Sequence, residues 1–120
     1  MSKAKETPKR GEVWDVDFDP PRGSEIGKKR PAVVISEDAI GRLPLRIVVP
    51  ITQWTARYAG YPWFVRIAPT STNGLSKESG ADAFQVKSIS EKRFARRRGA
   101  LTTAELDDIA AAIAICVGVP

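Results

Sequence analysis

Only one stretch of this chain repeats its apolar residues at the spacing of a helix, and it is the last. In "LTTAELDDIAAAIAICVGV", Leu106, Ile109, Ile113 and Val117 recur three or four positions apart, which places one buried stripe along a helix. Thr102 and Glu105 stand where a capping box would open it: the hydroxyl accepts from the third helical amide and the carboxylate returns the favour. Everything upstream is written in short β-branched or aromatic runs cut by glycine and proline. A chain so punctuated has one helix to lay against a sheet.

The runs differ in kind. Glu12 to Phe18 alternates, with Trp14, Val16 and Phe18 on one face and Val13, Asp15 and Asp17 on the other, the pattern of a half-buried strand. "PAVVIS" and "LRIVVPIT" are nearly unbroken, as expected of strands covered on both faces. "YPWFVRIAP" predicts another strand, with Trp63, Val65 and Ile67 facing one way, and "ADAFQVKSIS" one or two more. Between them, "EDAIGRLP" reads as one helical turn or a loop, and "TSTNGLSKESG" as turn formers. Residues 1–10 read as a mobile basic tail. The expected fold is mainly β (α+β): a small curled antiparallel sheet or barrel with the C-terminal helix packed on it. At 120 residues the chain matches the common size of one domain, spanning 1–120.

Charge narrows the function. The net charge is +5, and the positive residues cluster in the tail, in Lys28, Lys29 and Arg30, and in "EKRFARRRG". Such clustering suits phosphate backbones. The chain has no histidine and one cysteine, Cys116, which excludes ordinary zinc, copper or haem ligation and any Ser-His or Cys-His nucleophile pair. No metal or cofactor is expected, and the lone cysteine reads as a small packed hydrophobe. No apolar run approaches the ~20 residues of a membrane span, and the N-terminus lacks the apolar stretch of a secretory signal; a cytoplasmic protein is expected.

Several motifs dissolve on inspection. "GSEIGKK" departs from a P-loop, because three residues separate Gly23 from Gly27 and a strand follows. An EF-hand counted from Asp15 would put Pro20 and Ile26 where glycine and glutamate belong, so the strand aspartates read as solvent-facing. Trp14 and Trp63 read as core; Trp54, in a polar loop, reads equally as packing or as a ring on which a base could stack. Arg30 precedes Pro31 and is biased to an extended backbone, projecting its guanidinium from a fixed point. Thr52 ends the next long strand. The two could converge on a phosphodiester, or Arg30 could simply serve an ion pair.

Here the residues resemble a known family. "RGEVWDVDFDPPRGSEIGKKRPAVVIS", "VVPIT", "GYPWF" and "QVKSIS" look like successive blocks of the MazF/PemK toxin endoribonucleases. The resemblance implies a small antiparallel β-barrel that forms a homodimer and cuts single-stranded RNA without a metal. It implies a cognate antitoxin with an acidic tail covering the groove, and contact with operator DNA only through that complex. It places the family's catalytic arginine on Arg30, its threonine on Thr52 and the acid of its loop on Glu25, next to Ser24. Lys28 and Lys29 would hold the RNA backbone, as would Arg96–Arg98 if on the same face, with Gln85 and Lys87 near the groove. Base choice would depend on the loops around Trp54 and Asn73. Two departures stand out: Lys29 where some members carry histidine, and Phe84 where an acid often precedes the glutamine. Competing readings are a gyrase-poisoning toxin of related fold and a catalytically silent nucleic-acid-binding module or autoregulator.

Overall fold

The computed structural model describes residues 7–40 and 43–120. Seven strands, β1 (Glu12–Asp17), β2 (Lys29–Val34), β3 (Leu45–Gln53), β4 (Phe64–Ile67), β5 (Ser79–Asp82), β6 (Lys87–Ser90) and β7 (Phe94–Ala100), precede one helix, α1 (Thr103–Cys116). The strand order is β4-β5-β3-β2-β1-β7, with β6 also on β3, and every pair is antiparallel. The nine residues of β3 make the sheet curl. One edge of β3 holds β2, while its first half pairs β6 and its last residues pair β5 on the other.

The strand pairings do not close a ring, since β7 and β4 end the path. The last residues of β7 are nonetheless met on their outer edge by the turn before β5, which shortens the template for unwanted pairing. Ala100 N donates to Thr72 O at 3.0 Å. The contact depends on two glycines, because a Cβ on Gly99 would collide with the Thr72 carbonyl and one on Gly74 (φ +68) with that of Arg98.

Alternation along β1, β2 and β3 feeds two cores. Val13, Val33, Val49, Ile51 and Ile67 pack with Leu106 and Ile109 of α1. Trp14, Val16, Phe18, Ala32, Val34, Val48, Ile89 and Phe94 form the other. Complete burial of Ile109 alone is worth about 1.5–3 kcal/mol. The capping box forms as expected between Thr102 and Glu105. The stripe stops one turn early: Val117 is the C-cap, and it stands 65% exposed because the chain leaves helical geometry there and turns at Gly118 (φ +75).

Other expectations need correction. The first strand is not half-buried, because Val13 reaches the helix-side core while Trp14, Val16 and Phe18 fill the other. Asp15 is not solvent-facing: Arg98 and Arg96 both pair with it, at 2.5 and 3.5 Å. Trp63 precedes β4 and is only half-buried, stacked on Tyr61. A seventh strand, β7, runs through the arginine cluster, where Arg97 bonds Glu12 at 2.8 Å. Of the expected tail, residues 1–6 lie outside the described residues, but its last positions are tied down. Pro8 is buried with its carbonyl accepting from Arg46 Nε at 2.9 Å, and Arg10 N donates to Asp38 at 2.8 Å. Of the expected turn or loop before β3, residues 41–42 also lie outside the described residues. Among the described residues no helix is long and apolar enough to cross a membrane.

Candidate functional site

The register of β2 on β3 brings the two suspected site residues together. Ala32 pairs with Pro50 and Val33 with Val49; continuing by two residues sets Arg30 opposite Thr52, on the same sheet face. Their side chains meet: Arg30 Nη1 donates to Thr52 Oγ1 at 3.3 Å. Arg30 Nε is spent on Gly27 O at 2.8 Å, which aims the guanidinium from two points. Among the described residues no carboxylate pairs with Arg30 within 4.0 Å. An ion-pair role is therefore not what holds it.

Both residues line a pocket of about 400 Å³. Lys29, Arg30, Lys77 and Arg98 give it four cations, and no carboxylate is among its lining residues. Such a wall attracts a polyanion. Arg98 comes from β7 and is held from behind, its Nε on Asp15 Oδ1 at 2.5 Å and its Nη1 on Gly74 O at 3.0 Å. Lys77 Nζ donates to Gln53 Oε1 at 3.3 Å. Of the arginine cluster only Arg98 reaches this pocket; Arg96 and Arg97 are engaged with Asp15 and Glu12.

The loop between β1 and β2 is closed at its root by Phe18 N on Lys28 O, 2.9 Å. Arg93 Nη1 donates to Asp17 O and Asp19 O at 3.1 and 2.8 Å. Gln85 Oε1 accepts from Ile26 N at 2.6 Å. Lys28 sits at φ 67, with its amide on Asp19 Oδ1 at 2.5 Å. A left-handed lysine is uncommon, and here the turn that delivers Lys29 and Arg30 to β2 requires it. The charges at the strand root are thus mounted on a stapled loop.

Not every expected residue joins them. Glu25 lines a smaller pocket of about 220 Å³ with Phe84, Gln85 and Lys87, and its carboxylate accepts from Arg22 N at 2.7 Å. Ser24 and Lys28 are exposed and line neither pocket. Trp54 also lines neither; Arg66 lies over its ring at 5.2 Å and Tyr58 meets it edge-on at 5.8 Å. Asn73 is 1% exposed and its amide is consumed by Thr70, Leu75 and Ala68, so it builds its own turn and reads no base. Lys87 holds its ammonium 5.9 Å from the Phe18 ring.

Burial pushes the Asp82 carboxyl above its usual range, against hydrogen bonds from Gln85 and from the Phe84 amide. Burial, and then the charge of Asp82, push the Cys116 thiol up as well, which leaves it unreactive near neutral pH. Among the described residues no group of three His, Cys, Asp or Glu could hold a metal ion. Sequence reading overlooked Lys77 and Gln53. Nothing local marks either one; the pairing of Gln53 with Ser79 brings Lys77 to the pocket.

A family model described as PemK-like, MazF-like toxin of type II toxin-antitoxin system matches residues 9–117. Endoribonuclease MazF9 of Mycobacterium tuberculosis is 41% identical over 104 residues, covering 82% of this chain and 86% of its own length. The endoribonuclease toxin MazF of Escherichia coli K12 is 35% identical over 113 residues, covering 92% and 95%. Among solved structures, MazF from Deinococcus radiodurans (form I) superposes with a TM-score of 0.78 at 25% identity, covering 95% of this chain and 99% of that one. A MazE-MazF crystal from the same organism (form III) gives 0.73 at 25% identity, covering 96% and 100%.

Proposed function

The chain belongs to the PemK-like, MazF-like toxin family of type II toxin-antitoxin systems and is an endoribonuclease toxin, and from this premise we propose that it cuts single-stranded RNA at short sequences, without a metal ion, by directing the ribose 2′-hydroxyl at the adjacent phosphorus. The 2′-oxygen bonds to phosphorus, the bond to the 5′-oxygen breaks, and the products are a 2′,3′-cyclic phosphate and a 5′-hydroxyl. One proton leaves the attacking hydroxyl and one is delivered to the departing oxygen.

The observation that carries this reading is the Arg30–Thr52 contact near the ends of β2 and β3, beside a pocket whose lining also includes Lys29, Lys77 and Arg98. Arg30 faces the phosphoryl oxygens, where charge accumulates, with a group that stays protonated and donates in a fork. Because Arg30 Nη1 donates to Thr52 Oγ1, the threonine keeps its own proton for a phosphoryl oxygen. Arg30 also stands nearest in chemistry to an acid for the leaving oxygen, since a guanidinium that keeps its proton is a poor base. Glu25 is the base of this scheme, carried on the stapled loop one pocket away. Lys29 and Lys87 guide the backbone on either side.

The toxin works in the cytoplasm as a homodimer, and a cognate antitoxin silences it by laying an acidic, extended tail along the same cations. Its Deinococcus radiodurans relative in complex with MazE supports that pairing. In the test, purified protein in EDTA cuts a single-stranded transcript and leaves cyclic phosphate ends. Arg30→Ala lowers the rate by about 10²–10³-fold or more with the thermal melt almost unchanged. Intact RNA alongside accumulated double-strand breaks in a gyrase assay would establish the gyrase-poison reading instead.

A further inference from the structure

We propose that Asp82 is a positioning residue for the cleavage: its buried carboxylate fixes which way the Gln85 amide faces, and through it the loop segment 25–27 on which the site's charged groups are set. The inference rests on the nuclease reading above and deepens it by adding a group that acts without touching RNA.

Asp82 closes β5 and is 7% exposed. Among the described residues no cation pairs with it within 4.0 Å. Its oxygens are divided between amides instead: Oδ1 accepts from Phe84 N and Oδ2 from Gln85 Nε2, both at 3.2 Å. A buried carboxyl without a counter-charge costs stability. What it supplies in return is an acceptor at both oxygens, which no neutral side chain of its size offers.

That matters because the Gln85 amide has one donor end and one acceptor end. With Nε2 committed to Asp82, Oε1 faces the loop and accepts from Ile26 N at 2.6 Å. Protonation turns one Asp82 oxygen into a donor. The amide then reverses to accept from it, which sets Nε2 against the Ile26 N–H, donor on donor, and the bond to the loop is lost. Ile26 stands between Glu25, the base of the scheme above, and Gly27, whose carbonyl accepts from Arg30 Nε at 2.8 Å. A loop released at Ile26 loosens both.

The groups around Asp82 leave this titration its own. α1 brings Cys116, whose thiol the Asp82 charge pushes up, away from the range concerned. On β4, Arg66 shares its face opposite Gly80 and pairs with Glu78 at 3.0 Å. β3 sets Ile51 and Thr52 beside β5, and neither titrates. Glu25 and Lys87 line the small pocket with Gln85 on the loop side. Burial raises the carboxyl above its usual range, so its protonation falls at milder acidity than that of an exposed aspartate.

The test follows kcat/KM for a single-stranded transcript from about pH 4 to pH 8 in the unaltered protein and in Asp82→Asn. The one carbonyl oxygen of asparagine cannot serve both Phe84 N and Gln85 Nε2. The ratio of the two proteins cancels titrations common to both, that of Glu25 included. It is expected to stand near tenfold at neutral pH, the worth of about one hydrogen bond, and to fall towards one as Asp82 takes up its proton. Stability should run the other way. A raised native carboxyl favours the fold when protonated, and that contribution is lost as pH rises through the native value. Relative to Asp82→Asn, the unaltered protein should therefore lose melting temperature over the same interval in which it gains activity. A residue that served packing alone would move both together.

Ile26 gives a readout that needs no variant. The protection of its amide against hydrogen exchange, corrected for the intrinsic pH dependence, is expected to drop about tenfold in the unaltered protein as Asp82 protonates. An activity ratio independent of pH, or unchanged protection at Ile26, would overturn the positioning role and leave the nuclease standing. If no RNA is cut at any pH, the nuclease reading fails instead, and the protection of Ile26 alone decides whether Asp82 sets the loop.

Discussion

Gln85 and Ile26 lie 59 positions apart and are joined by a hydrogen bond of 2.6 Å, from the Ile26 amide to the Gln85 side-chain oxygen. The other end of the same side chain donates to Asp82 Oδ2 at 3.2 Å. Gln85 is therefore a strut between β5 and the loop that ends in Arg30, whatever it also offers to RNA. Gln85→Ala removes the strut but leaves the Phe18–Lys28 closure, the Arg93 bonds and the Arg30–Gly27 bond in place. The expected result is a folded protein in which the Ile26 amide exchanges faster and kcat/KM falls about tenfold, in keeping with ~1–1.5 kcal/mol for one such bond. Unchanged exchange at Ile26 would show that the glutamine does not brace the loop.

Thr52 separates chemistry from packing. Valine matches threonine in shape and β propensity but offers no hydroxyl to Arg30 or to a phosphoryl oxygen, whereas serine keeps it. Thr52→Val should lower kcat about 10²-fold with the melt nearly constant, and Thr52→Ser should stay within about threefold of the unaltered protein. Equal losses in the two variants would mean that the methyl group, not the hydroxyl, matters at this position.

What could be read in advance follows from what is local. The capping box at Thr102 and the unbroken apolar runs of β2 and β3 declare themselves by spacing, and those elements formed. The places of Arg30 and Thr52 near strand ends were legible, because Pro31 marks the start of one apolar run and Thr52 falls at the close of the other. The strand β7 was not, since in "FARRRGA" the half-buried partners of its arginines, Glu12 and Asp15, lie more than 80 residues away. Charge there read as a cluster for a phosphate backbone, whereas Arg96, Arg97 and Arg98 pair across strands with Asp15 and Glu12. Trp63 misled for the opposite reason: a large aromatic suggests core, but its neighbour Tyr61 stacks on it at 4.7 Å beside the exposed ring of Phe84. Lys77 and Gln53 had no signal until the β3–β5 register put them at the pocket.

The same cross-strand pairing makes stability depend on acid. Burial tends to raise the Glu12 carboxyl, but hydrogen bonds from Lys9 N, the Trp14 indole and Arg97, together with the charge of Arg97, outweigh it and leave the carboxyl below its usual range. A lowered native pKa means that the ionised form is favoured by folding. Its contribution is therefore complete above the unfolded value and is lost as pH falls through the native one. Asp82 runs the other way, since its raised carboxyl favours the fold when protonated and disfavours it as pH rises. Glu12→Gln isolates the first effect by keeping an acceptor for the Trp14 indole and removing the titration. The unaltered protein should melt higher than Glu12→Gln at neutral pH, and the gap should narrow between about pH 5 and pH 3. Melting curves collected over that range decide it: a gap that stays constant would show that the Glu12–Arg97 pair, 2.8 Å apart on the neighbouring strands β1 and β7, contributes by shape and not by charge.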